Sequence, residues 1–485
     1  MFSLNIKPQY IPARYFSFCV LLTVLLVTLS IRSLQGELFI TDAQYMVAAG
    51  RWIIANGHLP TTDPLSIHSE LTYICQQYPI CILVAVLYDT FGEMSVRLFF
   101  ALLDMVAVLF IWYQTFPKAG NRILHCAVSC GFGAVIVYSL RSTPRALDIL
   151  CLAVSWELME KYIESRDIRF LFGFPFLGIF IANLHGALWP CAIMLPLAAL
   201  LDSKLDSNAR IALAVTVLLT IASAMLNPYG LDVLSLPFKT IGTLDVATVA
   251  VPELKPMFSI VPVEAVILIV ISVVPVIFHA KCLGFKKAVF SFETMMISGL
   301  LFLSLMTWRN ELLLLGILMI VYSTWCWKLE PKCKVSSKML SRIVLFSISV
   351  VALEFGAVLF YSTLSATDQK SISIERAFQA MREDGAVSGT AVLTDIDPGC
   401  RAELNGFKPY LDTRIEVFNG QKNVLAEAGK ALSSGSLSAI CDDYGMDYAV
   451  LNYGINDVGI QDLKESGFKP VYSDNLTVCL KRSTV

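Results

Sequence analysis

Glu37-Leu38-Phe39-Ile40-Thr41-Asp42, then Gly50-Arg51-Trp52, then Pro60-Thr61-Thr62-Asp63-Pro64: this stretch follows the first long apolar run, and the rest of the chain is read around it. Between residues 35 and 72 it carries Glu37, Asp42, Asp63 and Glu70 against a single cation, Arg51. It is therefore a large acidic loop beside a spanning helix. A carboxylate fixed there sits where chemistry at a membrane surface needs one. A bare channel or a structural membrane protein has less use for it.

Composition places this loop in a membrane protein. Of 485 residues, 56% are hydrophobic and 16% charged, whereas soluble domains carry about a quarter charged residues. The fold class expected is a polytopic α-helical membrane protein. A net charge of -2 offers nucleic acid no electrostatic footprint. Most of the cysteines we considered (Cys126, Cys130, Cys151, Cys191) lie inside apolar runs, where thiols act as small hydrophobes. No cysteine or histidine spacing reads as a zinc site. The apolar stretch within Met1 to Ser30 is too long for a signal peptide, so a retained anchor is expected.

A spanning helix needs about 20 mostly apolar residues. Candidates lie at roughly 16–34, 97–116, 122–140, 145–162, 168–183, 186–201, 209–226, 262–279, 286–306, 310–328 and 340–362, about eleven spans. The count becomes twelve if 73–91 also crosses rather than lying at the interface. Lys and Arg in short loops mark the cytoplasmic side. The basic loops are Lys7/Arg14, Lys118/Arg122, Lys161/Arg166/Arg169, Lys204/Arg210, Lys281/Lys286/Lys287 and Lys328/Lys332/Lys334/Lys338/Arg342. All fall on one side if 73–91 does not cross. The N-terminus is then cytoplasmic, and the first outer loop, about 35–96, is extracytoplasmic. On the same outer side lie Arg141-Ser142-Thr143-Pro144-Arg145, Asn183-Leu184-His185-Gly186, Asn227-Pro228-Tyr229-Gly230 and Trp308-Arg309-Asn310. Polar groups at membrane depth are costly and usually functional, so one outer cavity is expected.

The transmembrane domain is expected to cover 1–364. After it, 365–485 has the composition of a soluble α/β domain, on the outer side. Ile374 to Arg382, Val424 to Leu432 and Ile460 to Ser466 read as helices. Ala391 to Leu393, Arg414 to Phe418 and Tyr448 to Tyr453 read as strands, and residues 471–478 as a hairpin. Cys400 and Cys441 are candidates for a disulfide, and Asn475-Leu476-Thr477 is a glycosylation sequon. Nothing resembles a nucleotide-binding loop.

Asp42 is the leading catalytic candidate. A carboxylate there is able to take a proton from a hydroxyl or to hold a divalent cation. Asp is also a good N-cap for the helix read over Ala43 to Ala55. Asp63-Pro64 is a turn signal and a second catalytic candidate; His68 and Glu70 are weaker ones. Arg141, Arg145 and Arg309 sit at the outer ends of spans. Arginine forks onto phosphate oxygens, and snorkelling is the plainer explanation of each alone. His185 interrupts an apolar stretch and is read as substrate-binding. Glu253 is a spare carboxylate, and Asp104 lies inside the span 97–116.

With these motifs in order, the chain resembles bacterial integral membrane glycosyltransferases of the GT-C superfamily, in particular a branch with an outer C-terminal α/β domain. The resemblance covers most of the chain. It rests on Asp42…Gly50-Arg51-Trp52…Gly57…Pro60…Asp63-Pro64-Leu65-Ser66, the four later outer motifs, and Tyr410-Leu411-Asp412-Thr413-Arg414. Two departures stand out. Ile74-Cys75-Gln76-Gln77-Tyr78 replaces a His-Glu-Trp-like stretch, and Thr413 replaces a glycine. The resemblance implies a cell-envelope transferase that takes sugar from a polyprenyl-phosphate donor with inversion. The acceptor is an extracytoplasmic glycan, lipid or protein. Asp42 is then base or metal ligand, and the arginines hold the lipid phosphate. The resemblance fixes no cofactor, and a divalent cation has a place. The other readings are a transporter or flippase of a lipid-linked substrate, which Asp104 favours, and a non-catalytic envelope assembly protein.

Overall fold

The computed structural model describes residues 13–34, 41–140, 143–242, 252–325, 367–418, 423–454 and 456–483. The span expected at 340–362, the junction at 364/365 and Arg141 lie outside the described residues. The helices that follow the apolar runs are α1 (Ala13–Leu34), α4 (Glu93–Thr115), α5 (Arg122–Ser139), α6 (Arg145–Ser165), α7 (Gly173–Leu184), α8 (Cys191–Ala199) and α9 (Ser207–Ala224). Pro262–Leu283, Phe292–Met306 and Glu311–Ile320 complete the apolar set. Among the described residues, five stretches are long and apolar enough to cross a membrane: Ala13–Arg32, Glu93–Lys118, Arg122–Ser139, Ser207–Ala224 and Pro262–Leu283. The chain is a multi-pass membrane protein. The run expected at 286–306 breaks after Phe285–Val289, and Ser291 caps the new helix through its hydroxyl.

Two helices belong to the first loop. α2 (Thr41–Asn56) starts at the leading carboxylate, and α3 (Tyr78–Phe91) covers the ambiguous segment. At 14 residues and about 1.5 Å per residue, α3 falls well short of a roughly 30 Å hydrocarbon core. It packs instead along α2. The crossing is close because of Gly50: a Cβ there would lie 1.9 Å from the Cys81 carbonyl oxygen. Between the helices the chain makes a small excursion, with Asp63 N donating to Leu71 O (2.8 Å) and Tyr73 N to Thr61 O (3.0 Å).

The C-terminal part is an α/β unit. Its sheet has the order β2-β1-β3-β5-β4, with β1 at Ala391–Thr394, β2 at Lys408–Pro409, β3 at Tyr448–Asn452, β4 at Phe468–Ser473 and β5 at Thr477–Arg482. β1 runs parallel to β2 and β3, while β5 is antiparallel to β3 and β4. Helices cover Thr367–Glu383, Ile396–Leu404, Val424–Ser434, Leu437–Asp443 and Asp457–Glu465. Two expectations are corrected. Residues 415–418 form a helical turn, not a strand, because Arg414 is anchored elsewhere, as described below. Cys400 and Cys441 are free thiols; the Cys400 sulfur lies 3.2 Å from the Thr413 hydroxyl.

The first loop and this unit are joined. α2 packs against helix Ile396–Leu404, Arg51 Nη1 donates to Leu404 O (3.3 Å), and Ile67 N donates to Pro409 O (3.2 Å). His68 lies edge-on to the rings of Tyr410, Phe418 and Tyr444. At the centre Arg414, whose side chain is 1% exposed, reaches Asp63 Oδ1 (2.6 Å), Glu403 Oε1 (2.7 Å) and Asp412 Oδ2 (2.5 Å).

Candidate active site

The joined halves enclose a cavity of about 1100 Å³. That is at or above the usual upper size of a small-molecule site, about 300–1,000 Å³, and leaves room for two reactants. Asp42 lines it from the first turn of α2, where the positive end of the helix dipole favours a carboxylate. Burial pushes the Asp42 carboxyl above the usual range. A hydrogen bond from Thr413 and the positive charge of Arg309 pull it back, and Glu253 pushes it up again. The result is a carboxylate with an elevated proton affinity, which suits a general base.

The arginines come from two separate turns. Arg145 opens α6 just after Pro144. Arg309 lies in the turn Trp308–Asn310, between the apolar helices Phe292–Met306 and Glu311–Ile320. Glu253 links them: its Oε1 is 2.7 Å from Arg145 Nη2 and 3.7 Å from Arg309 Nη1. The turn carrying Glu253 is fixed to the Arg309 turn by Trp308 N donating to Lys255 O (3.1 Å). Two cations thus share one carboxylate on the cavity wall, and the Arg309 side chain is 37% exposed. An excess of fork-shaped donors beside open space suits a phosphate.

His185 faces the same cavity. Its Nδ1 lies 2.8 Å from the Asp148 carboxylate, one turn into α6. That contact fixes the ring and leaves Nε2 as its other functional edge. Asp42, Arg145, His185 and Arg309 therefore line one cavity. Asp63 does not join them; it is fully buried against Arg414, Ser66 and the Leu65 backbone. Burial alone would raise its pKa, but the Arg414 charge and hydrogen bonds hold it below the usual range. Asp63 acts in this structure as the first loop's anchor.

Two contributors escaped the sequence reading. Glu253 looked idle, because nothing in its neighbourhood along the chain announces a bridge between distant arginines. Gln76 looked like a loss. Its carbonyl accepts from Gly186 N (2.9 Å), its Oε1 accepts from Ala187 N (2.8 Å), and its Nε2 donates to Glu416 (3.3 Å). Gly186 permits this, since a Cβ there would already crowd Gln76 at 3.2 Å. The one signal was position: Gln76 and Gln77 interrupt an apolar segment just before α3. The other outer motif is a clamp, with Asn227 Nδ2 donating to Ala182 O (2.7 Å) and the Tyr229 hydroxyl to Pro60 O (3.0 Å). Asp104, the residue that favoured transport, is buried against Arg32 at 3.0 Å.

A bundle of apolar helices, an acidic first loop and a roofing α/β unit together have the fold of a solved membrane protein. No family model and no curated protein matches the chain. Among solved structures it is similar to ArnT from Cupriavidus metallidurans. In the apo state the TM-score is 0.51 at 14% identity, covering 96% of this chain and 97% of that one. Bound to undecaprenyl phosphate, ArnT matches over the same shares at 13% identity and a TM-score of 0.48. At such identities the likeness is one of fold.

Proposed function

We propose that the chain is a membrane glycosyltransferase that moves a sugar from a polyprenyl-phosphate donor to an extracytoplasmic acceptor. One observation carries the reading: across a single cavity the Asp42 carboxylate faces two arginines that share one counter-ion. Asp42 takes the proton of the acceptor hydroxyl as that oxygen bonds to the anomeric carbon. The bond from that carbon to the phosphate oxygen breaks, and its electron pair leaves with the polyprenyl phosphate. Attack opposite the leaving group inverts the centre. Arg145 and Arg309 stabilise the charge that grows on the departing phosphate, the kind of preorganised electrostatic help that often dominates catalysis. His185, oriented by Asp148, binds the substrate in the same cavity. Arg141, the other end of the Arg145 turn in sequence, is proposed to add to the phosphate grip.

The proposed orientation has a cytoplasmic N-terminus and an extracytoplasmic cavity and C-terminal domain, with the domain junction near 364/365. The six basic loops support it. The acceptor is a glycan, lipid or protein of the cell envelope, and lipid surrounds the bundle. The donor set around Asp42 does not favour a divalent cation, because Arg309 and Arg145 already supply positive charge there. In the described grouping of ligand-type side chains, Glu403 and Asp412 hold the Arg414 guanidinium and the Cys400 sulfur meets the Thr413 hydroxyl. Transfer is therefore expected to persist in EDTA.

The test is transfer of label from radiolabelled polyprenyl-phosphate sugars into envelope glycans by membranes carrying the wild type or Asp42→Asn at matched expression. The variant should lose about 10²–10⁴-fold, the usual worth of a general base. Equal transfer would remove Asp42 from the chemistry, and no transfer by either across several donors would end the transferase reading.

A further inference from the structure

The cavity has a second end. Beyond Thr413 it continues into the C-terminal domain, to the carboxyl ends of β1 and β3. These strands are parallel neighbours, Thr394 pairing with Val450. From β1 the chain passes through helix Ile396–Leu404 to β2 on one side, while β3 lies on the other. A crevice outside the strand ends at such a switch point is where α/β sheets take ligands. Asp395 follows β1 directly, Asn452 ends β3, and Asn456 caps helix Asp457–Glu465.

Their side chains converge. Asn456 Nδ2 donates to Asp395 Oδ2 (2.5 Å) and to Asn452 O (2.9 Å). Both partners are acceptors, which fixes the amide's orientation. Asn456 Oδ1 is then left with no partner among the described residues, although Asn456 is 1% exposed and lines the cavity. A buried amide oxygen in that state is costly until something donates to it. Asp397 stands one step away, paired with Lys370 at 2.7 Å. Leu393, Leu411, Leu432, Leu437 and Leu451 supply an apolar wall.

We infer that this crevice is a carbohydrate subsite: it takes a hydroxyl-bearing sugar ring of the acceptor, with Asn456 Oδ1, Asp395 and Asp397 receiving hydroxyl hydrogens and the leucines receiving the ring's C–H face. The chemistry here is the reverse of that at the arginines. Oxygen acceptors outnumber donors, and the one cation there among the described residues, Lys370, is already paired, so a phosphate is repelled and a polyol is held. Burial and the neighbouring Asp397 push Asp395 up to about 7, which lets it accept or donate near neutral pH. The crevice also adjoins the reacting centre. Thr394 donates through its hydroxyl to Leu411 O (2.9 Å), and only Asp412 separates Leu411 from Thr413, the partner of Asp42. The word acceptor rests on the transferase reading; the sugar rests on the crevice.

Full-length protein in lipid nanodiscs is titrated with methyl glycosides of glucose, galactose, mannose and N-acetylglucosamine, read by saturation-transfer NMR. At least one should bind, inorganic phosphate should not displace it, and Asp395→Asn and Asn456→Leu should each weaken it at least tenfold. Should those variants misfold, a photoreactive form of the glycoside on the wild type decides instead; label in the peptides around Asp395 and Asn456 supports the subsite, and label elsewhere overturns it. No binding to the wild type, or equal binding to folded variants, also overturns it. A bound glycoside that becomes glycosylated confirms the acceptor side. One that only competes with the donor's sugar overturns that assignment. Binding here without any transfer product sinks the transferase reading and leaves the subsite standing; transfer that ignores both variants does the opposite.

Discussion

Two arginine–carboxylate clusters lie within the same molecule, and they are built to opposite ends. Arg414 meets three carboxylates, is 1% exposed, and also lies 4.9 Å from the Tyr73 ring centroid. Arg145 and Arg309 share one carboxylate beside open space. In the first cluster every donor is spoken for, and burial pushes Glu403 well above the usual range, against the pull of Arg414. In the second, Arg145 Nε has no partner among the described residues. The sign of the imbalance and the access to space, not the presence of arginine, separate a fastener from an anion site.

Three measurements would break or sharpen this comparison. Arg414→Met should have the largest effect, since removing one partner of a buried ion cluster costs about 3–5 kcal/mol. The unfolding midpoint in detergent reads it, and a stable Arg414→Met protein would mean the cluster fastens nothing. Arg309→Gln should keep its unfolding midpoint but lose roughly ten- to hundredfold in kcat/KM for the donor, the ~1.5–3 kcal/mol of a hydrogen bond to charge. Unchanged donor kinetics would demote Arg309 to an interfacial residue. Thr413→Val should act least. The Thr413 hydrogen bond favours the ionised form of Asp42, so losing it raises the carboxyl's pKa further. A base works ionised; the acid limb of the pH–rate profile should move to higher pH, with the alkaline plateau intact. A profile that stays in place would detach Thr413 from Asp42.

Much of the scaffold was readable because apolar runs are local. Ala13–Leu34, Arg122–Ser139 and Ser207–Ala224 announce themselves by length and composition; the helix expected after an Asp42 cap starts at Thr41 instead, which puts Asp42 inside its first turn. Residues 415–418 misled because Ile415, Val417 and Phe418 look like a strand; the anchoring of Arg414 overrides that propensity. The partners of Asp63 and Arg145 were illegible for another reason. Arg414 lies 351 positions from Asp63, and Glu253 lies 108 from Arg145. No periodicity spans such gaps. Thr413 teaches a finer point: a residue that read only as a departure supplies the hydroxyl that touches Asp42.

The distance between Asp63 and Arg414 along the chain also sets a clock. Asp63 is synthesised 351 residues before its guanidinium, so the nascent first loop must wait, without its mate, until Arg414 has been made. The Thr413 hydroxyl arrives at the same late moment. Until then the Asp42 wall stands without its roof, and a chain cut short before residue 414 would carry the arginines and the base but no closed chamber. Assembly order thereby decides when the chamber closes: not before Arg414 meets Asp63.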